Sequence, residues 1–365
     1  MDIRNQIFAE KLVNYCVAVK PGDNVLIETT DAVATDIVRQ IVKEVYKAGG
    51  NPFVKTVIAQ VEREILMNCN EEQMKIRVEN EFALLKQMDC CIVVRGFENA
   101  AELSDVPAEK INIQNKVMYE LRNYRVEKTR WVGLRYPGAA IAQLAGMSQE
   151  AYEDFFYKVC NMDYQTMSDH MDALVKRMEA ADQVHILAEG TDLTFSIKGI
   201  PAIKCDARVN IPDGEVFTAP VRESVNGYVT FNVPSLYQSK TFEGIRFEFQ
   251  DGKIIKATCN YEKELNKILD TDEGARYLGE FSFGCNPFIT VPTFDGSVDE
   301  KLAGSIHLTP GDSYEEAPNG NSSKIHWDLV LMQTPEYGGG EIWFDDELIR
   351  KDGLFVPEDL KPLNP

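Results

Sequence analysis

Residues 24–54 read NVLIETTDAVATDIVRQIVKEVYKAGGNPFV, and this stretch decides the fold of the first half of the chain. The apolar run 24–28 predicts a short buried strand. Apolar residues at helical spacing predict a helix from Thr35 to Lys47, which ends at Gly49-Gly50. A second strand opens at Pro52-Phe53-Val54. Two strands joined through a helix form a βαβ unit, which pairs its strands in parallel. We therefore expect an α/β domain built on a parallel sheet.

The character of the sequence changes near Asp182. Before this point, Cys90-Cys91-Ile92-Val93-Val94 predicts another buried strand, and residues 149–181 show helical periodicity. After it come short strands with turn signals, among which Asp251-Gly252 predicts a hairpin. The predicted strands of this half are 184–187, 193–197, 207–210, 227–231, 245–249, 254–259 and 325–331, with a further hairpin pair at 341–356. We expect an N-terminal α/β domain with a parallel sheet at residues 1–180, followed by a mixed α+β catalytic domain at residues 181–365.

Composition and charge limit the kinds of molecule that the protein can bind. The chain has 365 residues, 44% of them apolar, which suits two folded domains. Its 58 acidic and 38 basic residues give a formal net charge of −20. Nucleic acids and anionic membranes are excluded as partners, because binding to phosphate relies on Lys and Arg. An acidic surface attracts metal ions and free peptide amines, although it also serves plain solubility.

The cysteines and the N-terminus point to a cytosolic protein. The eight cysteines are scattered and none forms a CxxC pair, which favours reduced thiols over a disulfide framework or a zinc ribbon. The first residues contain no apolar signal-peptide core. No apolar run approaches the ~20 residues of a membrane-spanning helix. We expect no membrane partner.

The triplet His326-Trp327-Asp328 is the first candidate for chemistry. It lies in the run Lys324-Ile325-His326-Trp327-Asp328-Leu329-Val330, which we interpret as part of a strand. On a strand, residues i and i+2 project from the same face, so the imidazole and the carboxylate would lie side by side, as two metal ligands do. The alternative is a surface pair in which the acid merely holds the histidine.

Three further residues add to this candidate. His307 is flanked by apolar residues on a predicted strand that ends at Pro310-Gly311. Glu215 and Glu280 each follow a glycine and precede apolar or aromatic residues. A glutamate at the head of an apolar strand is partly desolvated and needs a cation. That cation is either a metal ion or the Lys or Arg of an ordinary salt bridge.

Together these five side chains offer nitrogen and oxygen ligands and no thiolate. Such a set suits Zn²⁺, Co²⁺, Mn²⁺ or Mg²⁺. Sites rich in carboxylates and poor in histidine are typical of two-metal centres, whose uses include aminopeptidase chemistry. The sequence contains no G-x-S-x-G elbow and no cysteine in an activating context, which argues against a serine or cysteine hydrolase.

At these residues the sequence resembles the aminopeptidase T-type family of bacterial leucyl metallo-aminopeptidases, also called the aminopeptidase S/T family. The block Ile211 to Pro220, followed by Ser224-Val225-Asn226-Gly227, is similar to the family's PDGEVFTAP…NG block and is the most specific match. Other similar blocks are Val25-Leu26-Ile27-Glu28, Tyr136-Pro137 with Ala142 to Ser148, Glu189-Gly190-Thr191-Asp192-Leu193, Gly279-Glu280, the His307 block and His326-Trp327-Asp328. The resemblance therefore spans nearly the whole chain.

The resemblance implies removal of N-terminal residues from peptides by a site with two divalent ions, Zn, Co or Mn, in the C-terminal domain. The family's metal ligands fall on Glu215, Glu280, His307, His326 and Asp328. A further ligand glutamate falls on Glu300, although here a small insertion separates it from His307. The family's catalytic tyrosine, seven residues after the first ligand histidine, falls on Tyr314. The resemblance also implies a homodimer.

These positions suggest a mechanism. We expect Glu280 to be the bridging carboxylate, with Asp328 as the alternative, and a carboxylate of the ligand shell to move the proton of the attacking water. Tyr314 would donate a hydrogen bond to the oxyanion. Without the resemblance, Tyr314 would be interpreted as a packing residue. The alternatives are another metal-dependent amidohydrolase, or an inactive relative that binds peptides or metal.

Overall fold

The computed structural model describes residues 2–238 and 240–365. The chain forms two compact units, of which the first runs to Met162 and also includes Ala207–Pro212, while the second consists of Asp163–Asp206 and Asp213–Pro365. The helix α8, defined below, thus belongs to the second unit. The division into domains at about residue 180 stays a prediction.

The first unit is an α/β structure. Its elements are α1 (Ile3–Lys11, continued by a π-helical turn at Leu12–Cys16), β1 (Asn24–Thr30), α2 (Thr35–Lys47), β2 (Asn51–Val57), α3 (Ala59–Asn68), α4 (Glu71–Leu85), β3 (Cys90–Arg95), α5 (Ala108–Lys128), β4 (Arg130–Arg135), α6 (Ala139–Leu144) and α7 (Gln149–Cys160). The strands form one sheet in the order β2-β1-β3-β4, and every pairing in it is parallel. The predicted βαβ unit and its parallel sheet are confirmed.

The second unit is mostly antiparallel sheet. Its elements are α8 (Tyr164–Ala180), β5 (Gln183–Ala188), β6 (Thr191–Ser196), β7 (Ile203–Cys205), β8 (Glu215–Thr218), β9 (Asn226–Thr230), β10 (Ser235–Tyr237), β11 (Lys240–Phe242), β12 (Arg246–Gln250), β13 (Lys253–Thr258), α9 (Glu262–Leu269), β14 (Leu278–Gly284), α10 (Gly296–Asp299), β15 (Ser305–Pro310), β16 (Leu329–Met332), β17 (Gly340–Phe344), β18 (Glu347–Lys351) and β19 (Leu354–Phe355), with 3₁₀ turns at Gly274–Arg276, Pro335–Tyr337 and Lys361–Leu363.

Within the described residues these strands make two large sheets. One has the order β13-β12-β9-β6-β5-β17-β18-β19, and the other has the order β16-β15-β14-β8-β7. Aromatic rings join them: Phe281 of β14 packs against Phe195 of β6, and Phe283 packs against Phe344 of β17, with ring centroids 5.1 and 5.9 Å apart. Strands β8, β14 and β15 are buried along their whole length. The polar residues on them are therefore removed from water.

The structure corrects three of the predicted elements. The stretch 149–181, predicted to be helical throughout, forms two helices. Asp163 begins the second one, because its side chain accepts a hydrogen bond from the Thr166 backbone N–H. Residues 207–210 form no strand and make only an isolated bridge from Asn210 to Gly133. The predicted strand 325–331 begins only at Leu329. The hairpin at Asp251-Gly252 is confirmed, with both residues in the left-handed region that its turn requires.

Within the described residues, no helix combines the length and the apolar character needed to cross a membrane.

Candidate metal centre

Three of the predicted ligands lie on neighbouring strands of the buried sheet. Glu215 opens β8, Glu280 lies on β14 and His307 lies on β15, and their exposed fractions are 7%, 2% and 1%. The central strand β14 pairs with both neighbours, so that Ser282 lies opposite both Phe217 and His307. Because side chains two residues apart share a face, this register brings Glu215, Glu280 and His307 to the same side of the sheet.

His326 and Asp328 reach the same place from the segment before β16. His326 makes a single bridge to Gly311, just past the end of β15. Its Nε2 lies 3.2 Å from Oδ1 of Asp328, so the two side chains lie side by side as predicted. Asp328 also accepts a hydrogen bond from the hydroxyl of Thr309, at 2.6 Å.

The five residues form two groups that share one member. Glu215, Glu280 and His307 offer ligand atoms within 4.8 Å of one another, and so do Glu280, His326 and Asp328. The two oxygens of Glu280 face different histidines: Oε1 lies 3.2 Å from Nε2 of His307, and Oε2 lies 3.1 Å from Nε2 of His326. Glu280 therefore stands between the two groups.

Backbone carbonyls orient both histidines. Nδ1 of His307 donates to the carbonyl of Glu300 at 3.2 Å, and Nδ1 of His326 donates to the carbonyl of Asp312 at 2.9 Å. A histidine held in this way turns its other ring nitrogen, Nε2, towards the carboxylates. This is the usual arrangement around a metal-binding histidine.

The cluster has a strong internal field. Burial alone would raise the pKa of Glu280, but contacts with His307 and His326 hold it below its ordinary value. Burial lowers the pKa of His326, yet the adjacent Asp328 and Glu280 carboxylates outweigh this and raise it to about 11. The pKa of His307 is raised for the same reason, chiefly by Glu280. The group of acids thus attracts positive charge, whether protons or a metal ion.

These residues fit a divalent metal ion. Nε2 of His326 is buried and makes no hydrogen bond, although carboxylate oxygens lie close to it. An imidazole nitrogen that is fixed in this way and faces two acids is satisfied when a cation lies between them. All five donors are nitrogen or oxygen atoms, which suits zinc and the harder divalent ions. When held here, such an ion would polarise a carbonyl group or lower the pKa of a water molecule.

Tyr314 lies beside the cluster. Its ring contacts that of His326, with centroids 4.6 Å apart, and that of Phe217 at 5.3 Å. Its exposed fraction is 45%, so part of the ring remains accessible to solvent. The surrounding protein and then the charges of Glu280 and Asp328 raise the pKa of its phenol well above the ordinary value. Tyr314 is therefore neutral at physiological pH and can donate a hydrogen bond.

Glu300 lies at the edge of the site rather than in either ligand group. Its carbonyl orients His307, and its carboxylate contacts the ammonium group of Lys301. Lys301 has an exposed fraction of 1%, and its Nζ lies 3.5 Å from Glu215. A role for Glu300 as a ligand stays a prediction.

The sequence did not single out several residues that complete the site. Lys301 is a buried cation among acids, and nothing in its local pattern distinguishes it from a surface lysine. The hydroxyl of Ser282 donates to Glu215 at 3.2 Å, and its strand position could have indicated this role. A third group, Cys205, Asp213 and Glu215, also lies within 4.8 Å. Asp213 could have been recognised from the sequence, because it lies two residues before Glu215 in the same block.

The remaining two histidines lie elsewhere. His185, on β5, contacts Asp192 of the neighbouring strand at 2.9 Å and is partly exposed. His170 lies on α8. Neither belongs to a candidate ligand group among the described residues.

Comparisons with known proteins place the chain in a family. Residues 2–341 match the family model described as thermophilic metalloprotease (M29). Aminopeptidase T of Thermus thermophilus is 27% identical over 378 residues, which cover 88% of this chain and 91% of the relative. Aminopeptidase AmpS of Bacillus subtilis is 26% identical over 311 residues, covering 75% of each chain.

A solved structure supports the fold. The wild-type AmpT structure from Thermus thermophilus has a TM-score of 0.81 at 23% identity, covering 97% of this chain and 99% of that one. The family match spans most of the sequence, and the aminopeptidase relatives align over most of their length. The chain therefore belongs to the thermophilic metalloprotease (M29) family and is a metal-dependent aminopeptidase.

Proposed function

We propose that the enzyme holds two divalent metal ions, with Glu280 as the carboxylate that both of them share. One ion would be held by Glu215, Glu280 and His307, and the other by Glu280, His326 and Asp328. The observation that carries this proposal is the position of Glu280, whose two oxygens face His307 and His326 separately. Zn, Co and Mn are the ions expected from these ligands. Glu300, next to Lys301, is the proposed sixth ligand.

The protein's own residues then have distinct tasks. When bound, the ions would supply a water molecule acidic enough to act as hydroxide at neutral pH. A carboxylate of the ligand shell would take the proton of the attacking water and pass it to the leaving amine. Tyr314, held against His326, donates its hydroxyl proton in a hydrogen bond to the oxyanion of the tetrahedral intermediate.

The proposed substrates are peptides with a free N-terminus. The acids around the site attract the ammonium group of such a peptide, which would limit cleavage to the first residue. Two further predictions are a homodimer, which the family resemblance implies, and a cytosolic location, which the scattered cysteines favour.

Metal analysis of the purified enzyme, combined with an assay on a panel of aminoacyl amides, tests this proposal. We expect two divalent ions per chain, loss of activity in chelator and recovery on adding Co²⁺, Zn²⁺ or Mn²⁺. Amides with an acetylated amine should not be cleaved. The variant Glu280→Gln should lose both ions, whereas Glu248→Gln, on the surface strand β12, should keep them. Full activity in excess chelator would falsify the metal mechanism, and one ion per chain would exclude the shared carboxylate.

A further inference from the structure

The parallel sheet of the first unit has a crevice at its carboxyl edge. In the order β2-β1-β3-β4, strand β1 pairs with β2 on one side and with β3 on the other. The chain connections therefore change direction between β1 and β3, which is the position where open α/β sheets bind ligands. A cavity of about 370 Å³ lies here, lined by the last residues of these strands: Thr30, Val57 and Arg95. Its size is at the lower end of the range for small-molecule pockets.

Two features build this crevice. Residues 96–107, between β3 and α5, form a connection longer than the two to six residues usual in α/β units. Asp31, buried just after β1, holds the crevice together: its carboxylate accepts hydrogen bonds from the backbone N–H of Ala59 at 2.7 Å and of Glu98 at 3.3 Å. One side chain thus joins the ends of all three strands, so the crevice is formed before any ligand arrives.

Most charged side chains that line the crevice are already paired. Arg77 contacts Glu62 and Glu81, at 2.8 and 3.0 Å. Lys55 lies 2.8 Å from Glu81 and 3.8 Å from Glu28. Arg125 also lies 3.8 Å from Glu28, so three cations offset these three acids in charge.

Arg95 and Glu102 are different. Among the described residues, no carboxylate lies within ion-pair distance of Arg95. Arg122, Arg125 and Arg135 are near enough to repel its charge, and Glu28 attracts it from beyond ion-pair distance. Glu102 accepts a hydrogen bond from the side-chain amide of Asn99 at 3.0 Å but has no cation within ion-pair distance in the described parts of the chain. The crevice therefore offers one unpaired positive group and one unpaired negative group.

Apolar residues form most of the rest of the wall, beside the polar Thr30, Asn99 and Gln114. Val57, Phe97 and Met118 are partly buried there, and Leu103 has an exposed fraction of 37%. An apolar surface with a few convergent polar groups is the pattern of a small-molecule site, in which the polar groups fix the orientation of the ligand.

We propose that this crevice binds a free amino acid with an apolar side chain, whose carboxylate pairs with Arg95 and whose ammonium group pairs with Glu102. The side chain of the ligand lies against Phe97, Leu103 and Met118. Amino acids of this class are products of aminopeptidase action. The candidate metal ligands all belong to the other unit.

Isothermal titration of the metal-loaded, full-length enzyme tests the proposal. The probes are L-leucine, 4-methylpentanoate, which lacks the amine, and 3-methylbutylamine, which lacks the carboxylate. The titration is repeated after the metal has been removed with a chelator. Leucine that binds at the metal centre would no longer bind, whereas leucine that binds in the crevice would still do so. The variants are Arg95→Gln and Glu102→Gln, with Arg39→Gln on the exposed face of α2 as the matched control.

In the chelated protein we expect one leucine per chain. Arg95→Gln should raise the Kd of leucine and of 4-methylpentanoate by about tenfold or more, which corresponds to about 1.4 kcal/mol. Glu102→Gln should weaken the binding of leucine and of 3-methylbutylamine but not the binding of 4-methylpentanoate. The proposal is overturned if both variants bind leucine like Arg39→Gln, or if no leucine binds the chelated protein at millimolar concentration. It is also overturned if inorganic phosphate binds as tightly as leucine and Glu102→Gln has no effect, because the crevice is then a simple anion site.

Discussion

The carbonyl oxygen of Asp312, which accepts the hydrogen bond from His326, lies where a side chain on Gly279 would have to be. A Cβ atom at residue 279 would be 2.1 Å from this oxygen. The glycine before Glu280 therefore allows the backbone around Asp312 to approach β14 and to orient the ligand histidine. Gly279 thus supports the metal centre.

Replacing this glycine should weaken metal binding. In Gly279→Ala the new methyl group pushes the Asp312 carbonyl away, and His326 loses the partner that fixes its tautomer. Loss of such a partner typically lowers metal affinity by about 10- to 100-fold. Titration with a metal-buffered series checks this value. Gly296→Ala is the control, because a Cβ there meets no atom within 4 Å. Equal affinity in the two variants would contradict the role of Gly279.

Tyr314→Phe should keep the fold and the bound metal but lower kcat. A hydrogen bond made mainly in the transition state affects kcat and kcat/KM together and leaves KM nearly unchanged. The expected loss is on the order of 10²–10³. Steady-state kinetics measures it, with metal content checked first and Tyr228→Phe, on the exposed part of β9, as control. A change below about threefold would mean that Tyr314 only packs against His326 and Phe217.

His170→Gln and His185→Gln should leave metal content unchanged, since neither residue lies in a candidate ligand group. His307→Gln should lower it, because the amide cannot replace a buried imidazole ligand at the same position. Elemental analysis of the three purified variants makes the comparison. A drop in metal content for His170→Gln or His185→Gln would show that the replaced histidine is itself a metal ligand.

Asp272 should make the stability of the segment between Tyr314 and His326 depend on pH. Its carboxylate accepts hydrogen bonds from the Ser323 hydroxyl, the Lys324 N–H and the Ala275 N–H at 2.7, 2.7 and 3.0 Å, and so anchors the segment between Tyr314 and His326. Burial raises the pKa of Asp272, but these bonds outweigh it and hold the pKa below the ordinary 3.8. A depressed pKa contributes stability that is present above the unfolded-state value and is lost as pH falls through the folded-state value.

The variant Asp272→Asn tests this contribution. At pH 7 we expect its free energy of unfolding to be lower than that of the wild type by about 1–2 kcal/mol. The difference should begin to shrink near the unfolded-state pKa of about 4 and should disappear once the pH has fallen below the lowered folded-state pKa. Urea unfolding at several pH values measures it, with Asp270→Asn as control, because the Asp270 carboxylate is exposed and pairs with Arg276. A difference that does not depend on pH would contradict an ionic role for Asp272.

Local sequence patterns were sufficient to predict the structure wherever residues close together in the chain determine it. The helix Thr35–Lys47 and the hairpin at Asp251-Gly252 follow from periodicity and turn chemistry alone. His326 and Asp328 could be predicted to lie side by side because they are two residues apart. The break between α7 and α8 was missed, although Asp163 with Thr166 is a readable cap signal.

Other features depend on which distant segments become neighbours. Glu280 lies between His307 and His326 only because the registers of β14 and β15 and the path of the loop after β15 place them there. Lys301 looks like any solvated lysine until folding buries it among acids. The positions of Arg95 and Glu102 in one crevice likewise follow from the strand order. Residue types and their local spacing therefore indicated the chemistry of the site, whereas long-range strand pairing, which no local pattern encodes, decided its geometry.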